Sequence, residues 1–138
     1  MQITVLREED LRQAVELWEA TGLTRPWNDA LADARRALAE PTSTVLSIVE
    51  NDQLMATAMV GHDGHRGWLY YVAVDPCRQG NGLGRALVDA AVLWLRDLGV
   101  PKVQLMVREE NSAVIDFYER RGFEDQHVAV LGKRLDRP

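Results

Sequence analysis

The sequence predicts a mixed α/β domain, and three observations carry that expectation. The apolar run Trp68 to Val74 is followed by a glycine-rich turn, a helical pattern from Leu83 to Leu98 and a second strand pattern from Lys102 to Val107. Strand, helix, strand in that order implies a right-handed parallel crossover. Upstream, Thr44 to Val49 and Leu54 to Val60 flank Asn51-Asp52, the signature of an antiparallel hairpin. Finally, three helical patterns stop at a glycine followed by a hydrophobe: Gly22-Leu23, Gly99-Val100 and Gly122-Phe123. With 138 residues and no linker, repeat or low-complexity stretch, a single domain over 1–138 is expected.

Element by element, Ile3 and Val5 alternate as a short first strand, with Leu6 beyond. Asp10 is placed to cap a helix with the apolar face Leu11, Ala14, Val15 and Trp18. After Gly22, Pro26 fixes the approach to a second helix capped by Asn28 or Asp29 and running to about Leu38. The hairpin follows. Then comes a polar loop with three glycines, Gly61 to Gly67, leading into Trp68–Val74. Nearly all apolar or aromatic, that run reads as a central strand buried on both faces. The next helix carries Leu83, Leu87, Ala90, Ala91, Trp94, Leu95 and Leu98 at intervals of three and four. Pro101 forbids its continuation. Asn111 or Ser112 caps a fourth helix bearing Val114, Ile115, Phe117 and Tyr118, and Val128 to Leu135 reads as a last strand.

A formal net charge of -5 argues against nucleic acid as a partner and suits a cationic one. No apolar run approaches the ~20 residues of a membrane span, and Met1-Gln2-Ile3-Thr4 lacks a signal-peptide layout. The single cysteine, Cys77, has no internal disulfide partner and fits a reducing compartment. A cytoplasmic protein is the expectation.

The chemistry concentrates at Gln79-Gly80-Asn81-Gly82-Leu83-Gly84. Three glycines stand in five residues, Arg78 and Arg85 flank them, and no carboxylate lies between Pro76 and Ala86. A helix start offers unpartnered N–H groups and the positive end of the helix dipole, so this is an anion site suited to phosphate. It is not a P-loop, because Gly84 is followed by Arg85-Ala86 rather than Lys-Ser/Thr. Nor is it a good dinucleotide fingerprint, because the third glycine comes one position early. A glycine-rich helix start serving packing alone is the plain alternative.

The turn matches Gln/Arg-x-x-Gly-x-Gly/Ala, and here the chain resembles the GNAT family of N-acetyltransferases. Glu110-Asn111-Ser112-Ala113 and Phe117-Tyr118-Glu119-Arg120-Arg121-Gly122-Phe123 are similar to a second segment of that family, and the element order agrees along essentially the whole chain. Arg25-Pro26-Trp27-Asn28-Asp29 and Gly61 to Gly67 look like the bacterial YpeA-type subgroup. The resemblance implies a mostly antiparallel twisted sheet with one splayed parallel pair and about four helices. It also implies direct acetyl transfer from acetyl-coenzyme A to a primary amine, without a metal. The coenzyme diphosphate would lie on Gln79, Gly80, Asn81, Gly82, Leu83 and Gly84, beside Arg85. The pantetheine arm would lie along the backbone of Val72 and Val74 like an added strand. Many family members dimerise, so a homodimer is an expectation too.

The reaction poses two proton problems. An alkylammonium of pKa ~10.4 is free amine in only about one molecule in ~2500 at pH 7, a deficit of ~4.6 kcal/mol; the leaving thiol, at ~8.5, is the milder case. By motif, Tyr118 is the candidate acid toward the sulfur, against the plain reading of a core aromatic. Asn111 is a candidate coenzyme contact, a helix cap, or both. No motif fixes the base. Asp63, His65, Glu109 and Glu110 are candidates, most simply read as solvated loop charges, with Asp63 first by loop position. Trp27 is a candidate for the acceptor pocket, on the side where the family places its first two helices. Tyr70 and Tyr71 should alternate, one facing the acceptor cleft and the other the opposite layer. Cys77 is a bystander, since direct transfer needs no covalent enzyme intermediate. A non-catalytic acyl-coenzyme A binding or sensing domain is the rival reading.

Overall fold

The computed structural model describes residues 2–136. The chain forms two compact units, one ending at Met106 and one beginning at Val107.

The first unit is built on a five-stranded sheet in simple sequence order. Its strands are β1 (Ile3–Val5), β2 (Ser43–Glu50), β3 (Gln53–His62), β4 (Gly67–Val74) and β5 (Val103–Gln104). Every pairing is antiparallel except β4 with β5. Its helices are α1 (Leu11–Ala20), α2 (Ala30–Ala39) and α3 (Leu83–Asp97). The hairpin between β2 and β3 turns on Asn51 and Asp52, both left-handed at φ 53° and 62°, the geometry that suits the twist of the flanking strands. Asp29 caps α2, its Oδ1 accepting the Ala32 N–H at 2.9 Å. The glycine stops close as expected: Leu23 N–H donates to the Trp18 carbonyl at 2.9 Å and Val100 N–H to that of Leu95 at 3.0 Å.

Helices α1 and α2 pack over Val45 and Ala73 in one apolar cluster around the fully buried Trp18. Helix α3 lies on the opposite face, where Gly67 meets Leu95 so closely that a Cβ there would stand 2.6 Å from Leu95 Cδ1. This steric limit explains the glycine that opens β4.

The second unit holds α4 (Ser112–Glu119), capped by Asn111, whose Oδ1 accepts the Val114 N–H at 3.4 Å. The helix ends on Gly122, with Phe123 N–H donating to the Tyr118 carbonyl at 3.1 Å.

Four expectations need correction. Asp10 sits at the start of α1 but makes no cap bond. The chain enters through a 3-10 turn at Glu8–Asp10, so the Asp10 backbone is already helical, and its buried carboxylate instead accepts Arg7 Nε at 2.8 Å. Strand β4 is not central and not buried on both faces: β3 is the middle strand, while Trp68, Tyr71, Val72 and Val74 are half-buried and Tyr70 is exposed. Tryptophan and tyrosine have wet tips, so an aromatic run overstates burial. The strand expected over Lys102–Val107 shrinks to Val103–Gln104, because only Gly67 and Trp68 of β4 pair with it. No strand forms over Val128–Leu135: alternation specifies a face, not a partner. Among the described residues the second unit offers no strand to pair with, and Val128, Val130, Leu131 and Leu135 are exposed.

Candidate active site

The glycine turn joins β4 to α3. Asp75 closes the strand and caps a 3-10 turn at Pro76–Arg78, its Oδ1 accepting the Cys77 N–H at 2.9 Å. Asn81 Nδ2 then donates to the Arg78 carbonyl at 3.1 Å. Gly80 and Gly82 take φ 86° and 78°, with nothing within 4 Å of where a Cβ would stand. Gly84 is already inside α3, so two glycines rather than three need left-handed freedom. Gly82 is the N-cap of α3 and has no side chain to cap it. The N–H groups of Leu83, Gly84 and Arg85 therefore lack an intrahelical acceptor, the first bond of the helix being Ala86 N–H to the Gly82 carbonyl at 3.0 Å. Gln79, Gly80, Asn81, Gly82 and Arg85 are exposed, whereas the Leu83 side chain is buried and anchors the helix start. Arg78 donates to Gln53 Oε1 at 3.3 Å, which holds one guanidinium beside the turn. An exposed turn with free N–H groups and no carboxylate between Pro76 and Ala86 fits a diphosphate.

Leading into this turn, β4 has a free edge. Its ladder with β5 stops at Trp68, so from Leu69 to Val74 no strand pairs with that side among the described residues. Val72 and Val74 lie on this stretch, whose backbone can take an added strand.

The same strand is interrupted by a bulge. Met59 pairs with Tyr70 and Thr57 with Ala73, so Ala58 faces both Tyr71 and Val72. Tyr71 takes φ 49°, a left-handed conformation that costs a bulky residue about 1–3 kcal/mol. The expectation that Tyr70 and Tyr71 face opposite layers is therefore overturned. Tyr70 shares a face with Met59, and the Tyr71 ring stacks on Trp18 of α1, centroids 4.0 Å apart and planes 16° from parallel. Both tyrosines lie on the α1/α2 face. The surroundings hold Tyr71 in place. Trp18 Nε1 donates to Thr57 Oγ1 at 2.8 Å, the Thr57 hydroxyl donates to the Tyr71 carbonyl at 2.8 Å, and the Tyr71 hydroxyl donates to Asp33 Oδ2 of α2 at 3.0 Å. Burial and the Asp33 carboxylate push the Tyr71 phenol up to about 12. Burial, then the charge of Asp63, also raises that of Tyr70.

Asp63 closes the β3–β4 loop. Oδ1 accepts the N–H groups of Arg66 at 2.8 Å and His65 at 2.9 Å, and Oδ2 accepts Trp68 Nε1 at 3.3 Å. These donors, the backbone ones first, hold its pKa below the ordinary aspartate value. A carboxylate so engaged is a poor proton acceptor.

Trp27, 59% exposed, lines a depression of about 750 Å³ at the α1–α2 connection, together with Val15, Glu19, Thr24, Asp29 and Leu31. The buried Thr24 Oγ1 there lies near the Tyr71 phenol but has no partner in hydrogen-bond geometry. Cys77 is exposed.

In the second unit, Tyr118 is buried and flanked edge-on by Phe117 and Phe123, with centroids at 5.0 and 5.4 Å. Arg121 lies over the Phe117 ring at 3.9 Å. Burial pushes the Tyr118 phenol up to about 12, only partly opposed by the Arg121 charge. Asn111 is exposed at the start of α4.

Residues 6–123 match the family model described as Acetyltransferase (GNAT) family. The chain belongs to the GNAT acetyltransferase family. Membership supports acyl-coenzyme A-dependent N-acetyltransfer, and acetyl-coenzyme A is the donor the family uses. Solved structures agree in fold. An acetyltransferase from Trypanosoma brucei is 25% identical with a TM-score of 0.78, 97% of this chain covering 99% of that one. The ribosomal-protein-S18-alanine N-acetyltransferase from Escherichia coli is 27% identical with a TM-score of 0.74, 89% covering 77%. AAC(6')-Iy in complex with the bisubstrate analogue CoA-S-monomethyl-acetylneamine is 16% identical with a TM-score of 0.81, 97% covering 97%. These matches establish the GNAT family and do not reach the YpeA-type subgroup. Among the described residues no group of His, Cys, Asp or Glu is arranged to hold a metal, and no helix is long and apolar enough to cross a membrane.

The sequence reading of this GNAT site missed Asp33, Thr24, Thr57 and the role of Trp18. The one local signal was Trp18 itself, an indole whose N–H needs a partner when buried.

Proposed function

We propose that this protein transfers acetyl from acetyl-coenzyme A directly to a primary amine. The observation that carries the reading is the uncapped start of α3 behind left-handed Gly80 and Gly82, continuous with the free edge of β4. The backbone N–H groups of Gln79 to Gly84 would hold the diphosphate, with Arg85 adding charge, while Val72 and Val74 would run alongside the pantetheine arm and Asn111 would contact it.

The acceptor side is the α1–α2 depression. Trp27 supplies an apolar wall there, and Glu19 and Asp29 outnumber Arg25 among the lining charges, a balance that favours an amine arriving as its ammonium. Tyr70 projects from the same face of the sheet. The lowered pKa of Asp63 moves its proposed role from taking the amine proton to shaping the loop that holds Trp68. Tyr118 remains the proposed donor toward sulfur by its motif. A phenol near 12 cannot hand its proton to a thiolate of pKa ~8.5 without an uphill step of roughly 5 kcal/mol. The proposed role is therefore a hydrogen bond to the developing negative charge rather than full transfer. The narrower YpeA-type kinship rests on Arg25–Asp29 and Gly61–Gly67.

The test is thiol release from acetyl-coenzyme A over an amine panel that includes peptides beginning with alanine, polyamines and aminoglycosides. Release with one amine class, and intersecting initial-rate plots, support direct transfer. Parallel plots with acetyl trapped on Cys77 overturn it. A flat panel with tight coenzyme binding supports the binding-only reading instead.

A further inference from the structure

Tyr71 is a bulky residue in a left-handed conformation inside a strand, and neighbours from three elements hold it there. Helix α1 supplies the Trp18 face, β3 supplies the Thr57 hydroxyl to its carbonyl, and α2 supplies Asp33 to its phenol. The first two contacts would hold a phenylalanine equally well. The hydroxyl makes its hydrogen bond to Asp33, whose other side-chain bond is to Arg36 at 3.4 Å on the surface of α2. Helix α2 also contributes Ala30 and Leu31, at its start, to the wall of the depression. Thr24, another lining residue, carries the unpartnered hydroxyl that lies near the phenol.

We propose that Asp33 is a positioning residue: its bond to Tyr71 ties α2, whose first residues Ala30 and Leu31 help wall the acceptor depression, to the bulge of β4, the strand proposed to meet the acyl donor. The inference rests on the acetyltransferase reading. Its consequence is that the acceptor wall and the donor strand move as one body.

Three variants test it. Tyr71→Phe keeps the ring on Trp18 and removes only the bond. Asp33→Ala removes the acceptor of that bond. Asp33→Asn removes the charge but keeps an amide oxygen to receive the phenol. Tyr71→Phe and Asp33→Ala should each lower kcat/KM for the amine about tenfold or more. Asp33→Asn should recover most of the Asp33→Ala loss. A fully active Tyr71→Phe overturns the proposal. So does an Asp33→Asn as damaged as Asp33→Ala, since the carboxylate charge would then matter rather than the tether. If Asp33→Ala does not fold, Tyr71→Phe carries the test. Amide hydrogen exchange gives a readout free of turnover: in Tyr71→Phe, exchange over Tyr70–Ala73 and α2 should rise about tenfold or more, and unchanged exchange overturns the tether. A wild-type protein that acetylates no amine would defeat the acetyltransferase reading, and exchange alone would then decide the tether.

Discussion

Replacing Gly82 with alanine separates the fold from the site. Gly82 has φ 78° and open space where a Cβ would go, so the cost of Gly82→Ala comes from the backbone alone. A left-handed conformation costs an L-residue about 1–2 kcal/mol, a Tm fall of roughly 3–8 °C for a chain of this size. If the backbone relaxes to avoid that strain, the N–H groups at the start of α3 turn away from their common focus. Losing one hydrogen bond to a charged partner is worth about 1.5–3 kcal/mol, a rise in Kd of roughly 10- to 150-fold. Gly22 supplies the control: φ 72°, equally open space, and a helix stop at the end of α1. Gly22→Ala should lower Tm as much and leave binding alone. Thermal melts with calorimetric titration of acetyl-coenzyme A decide the matter. A Tm loss smaller for Gly82→Ala than for Gly22→Ala, the mark of a relaxed backbone, together with an unchanged Kd would refute the phosphate role of the turn, as would equal weakening of binding by both variants.

Three further predictions use the same measurements. Gly67→Ala places a Cβ 2.6 Å from Leu95 Cδ1, and Leu95 is buried, so overpacking should cost about 1–3 kcal/mol; an undiminished Tm would contradict the contact. Asp63 has a depressed pKa, so its stabilisation is present above the unfolded aspartate value and lost as pH falls through the folded one. Asp63→Ala should therefore flatten the decline of Tm below about pH 4. Tyr118 has a raised pKa, to about 12, so its contribution is full below about pH 10 and is lost toward pH 12, up to about 3 kcal/mol. Tyr118→Phe should blunt alkaline unfolding, lower kcat by about 10²-fold and leave acetyl-coenzyme A binding nearly intact.

What was legible in the sequence was set by short-range chemistry. The stops at Gly22, Gly99 and Gly122, the Asn51-Asp52 turn and the α3 face each depend on residues within about five positions, and each formed as the pattern implied, except that Leu98 lies past the end of α3 and is exposed. The glycine turn belongs to the same class: its left-handed glycines and the helix start behind it follow from local sequence. The bulge at Tyr71 belongs to another. It arises because β3 and β4 pair on both sides of a one-residue mismatch, and nothing within Trp68–Val74 signals the offset. Thr57 and Asp33 lie 14 and 38 residues from Tyr71. Thr57 reads as an ordinary strand residue and Asp33 as a solvated helix charge until the fold brings them to Tyr71.

Apart from His127 in the exposed tail, the left-handed residues separate into those that stop helices or turn hairpins and those around the proposed coenzyme site. Gly22, Gly99 and Gly122 stop helices, and Asn51, Asp52 and Gly64 turn hairpins. Tyr71, Gly80 and Gly82 do neither. They fall within twelve residues, along β4 and into α3. At Gly80 and Gly82 the conformation is cheap and leaves backbone exposed. At Tyr71 it is costly, and Trp18, Thr57 and Asp33 offset the cost. Relaxing the bulge would return Ala73 to the α3 face and shift the phase of every side chain after it, including Val74 at the approach to the glycine turn. The strain therefore sets the register in which β4 approaches the glycine turn. Helix α2 contributes to holding that register through one phenol–carboxylate bond, so under the proposed reading the donor and acceptor halves of the site would be mechanically coupled before either substrate binds.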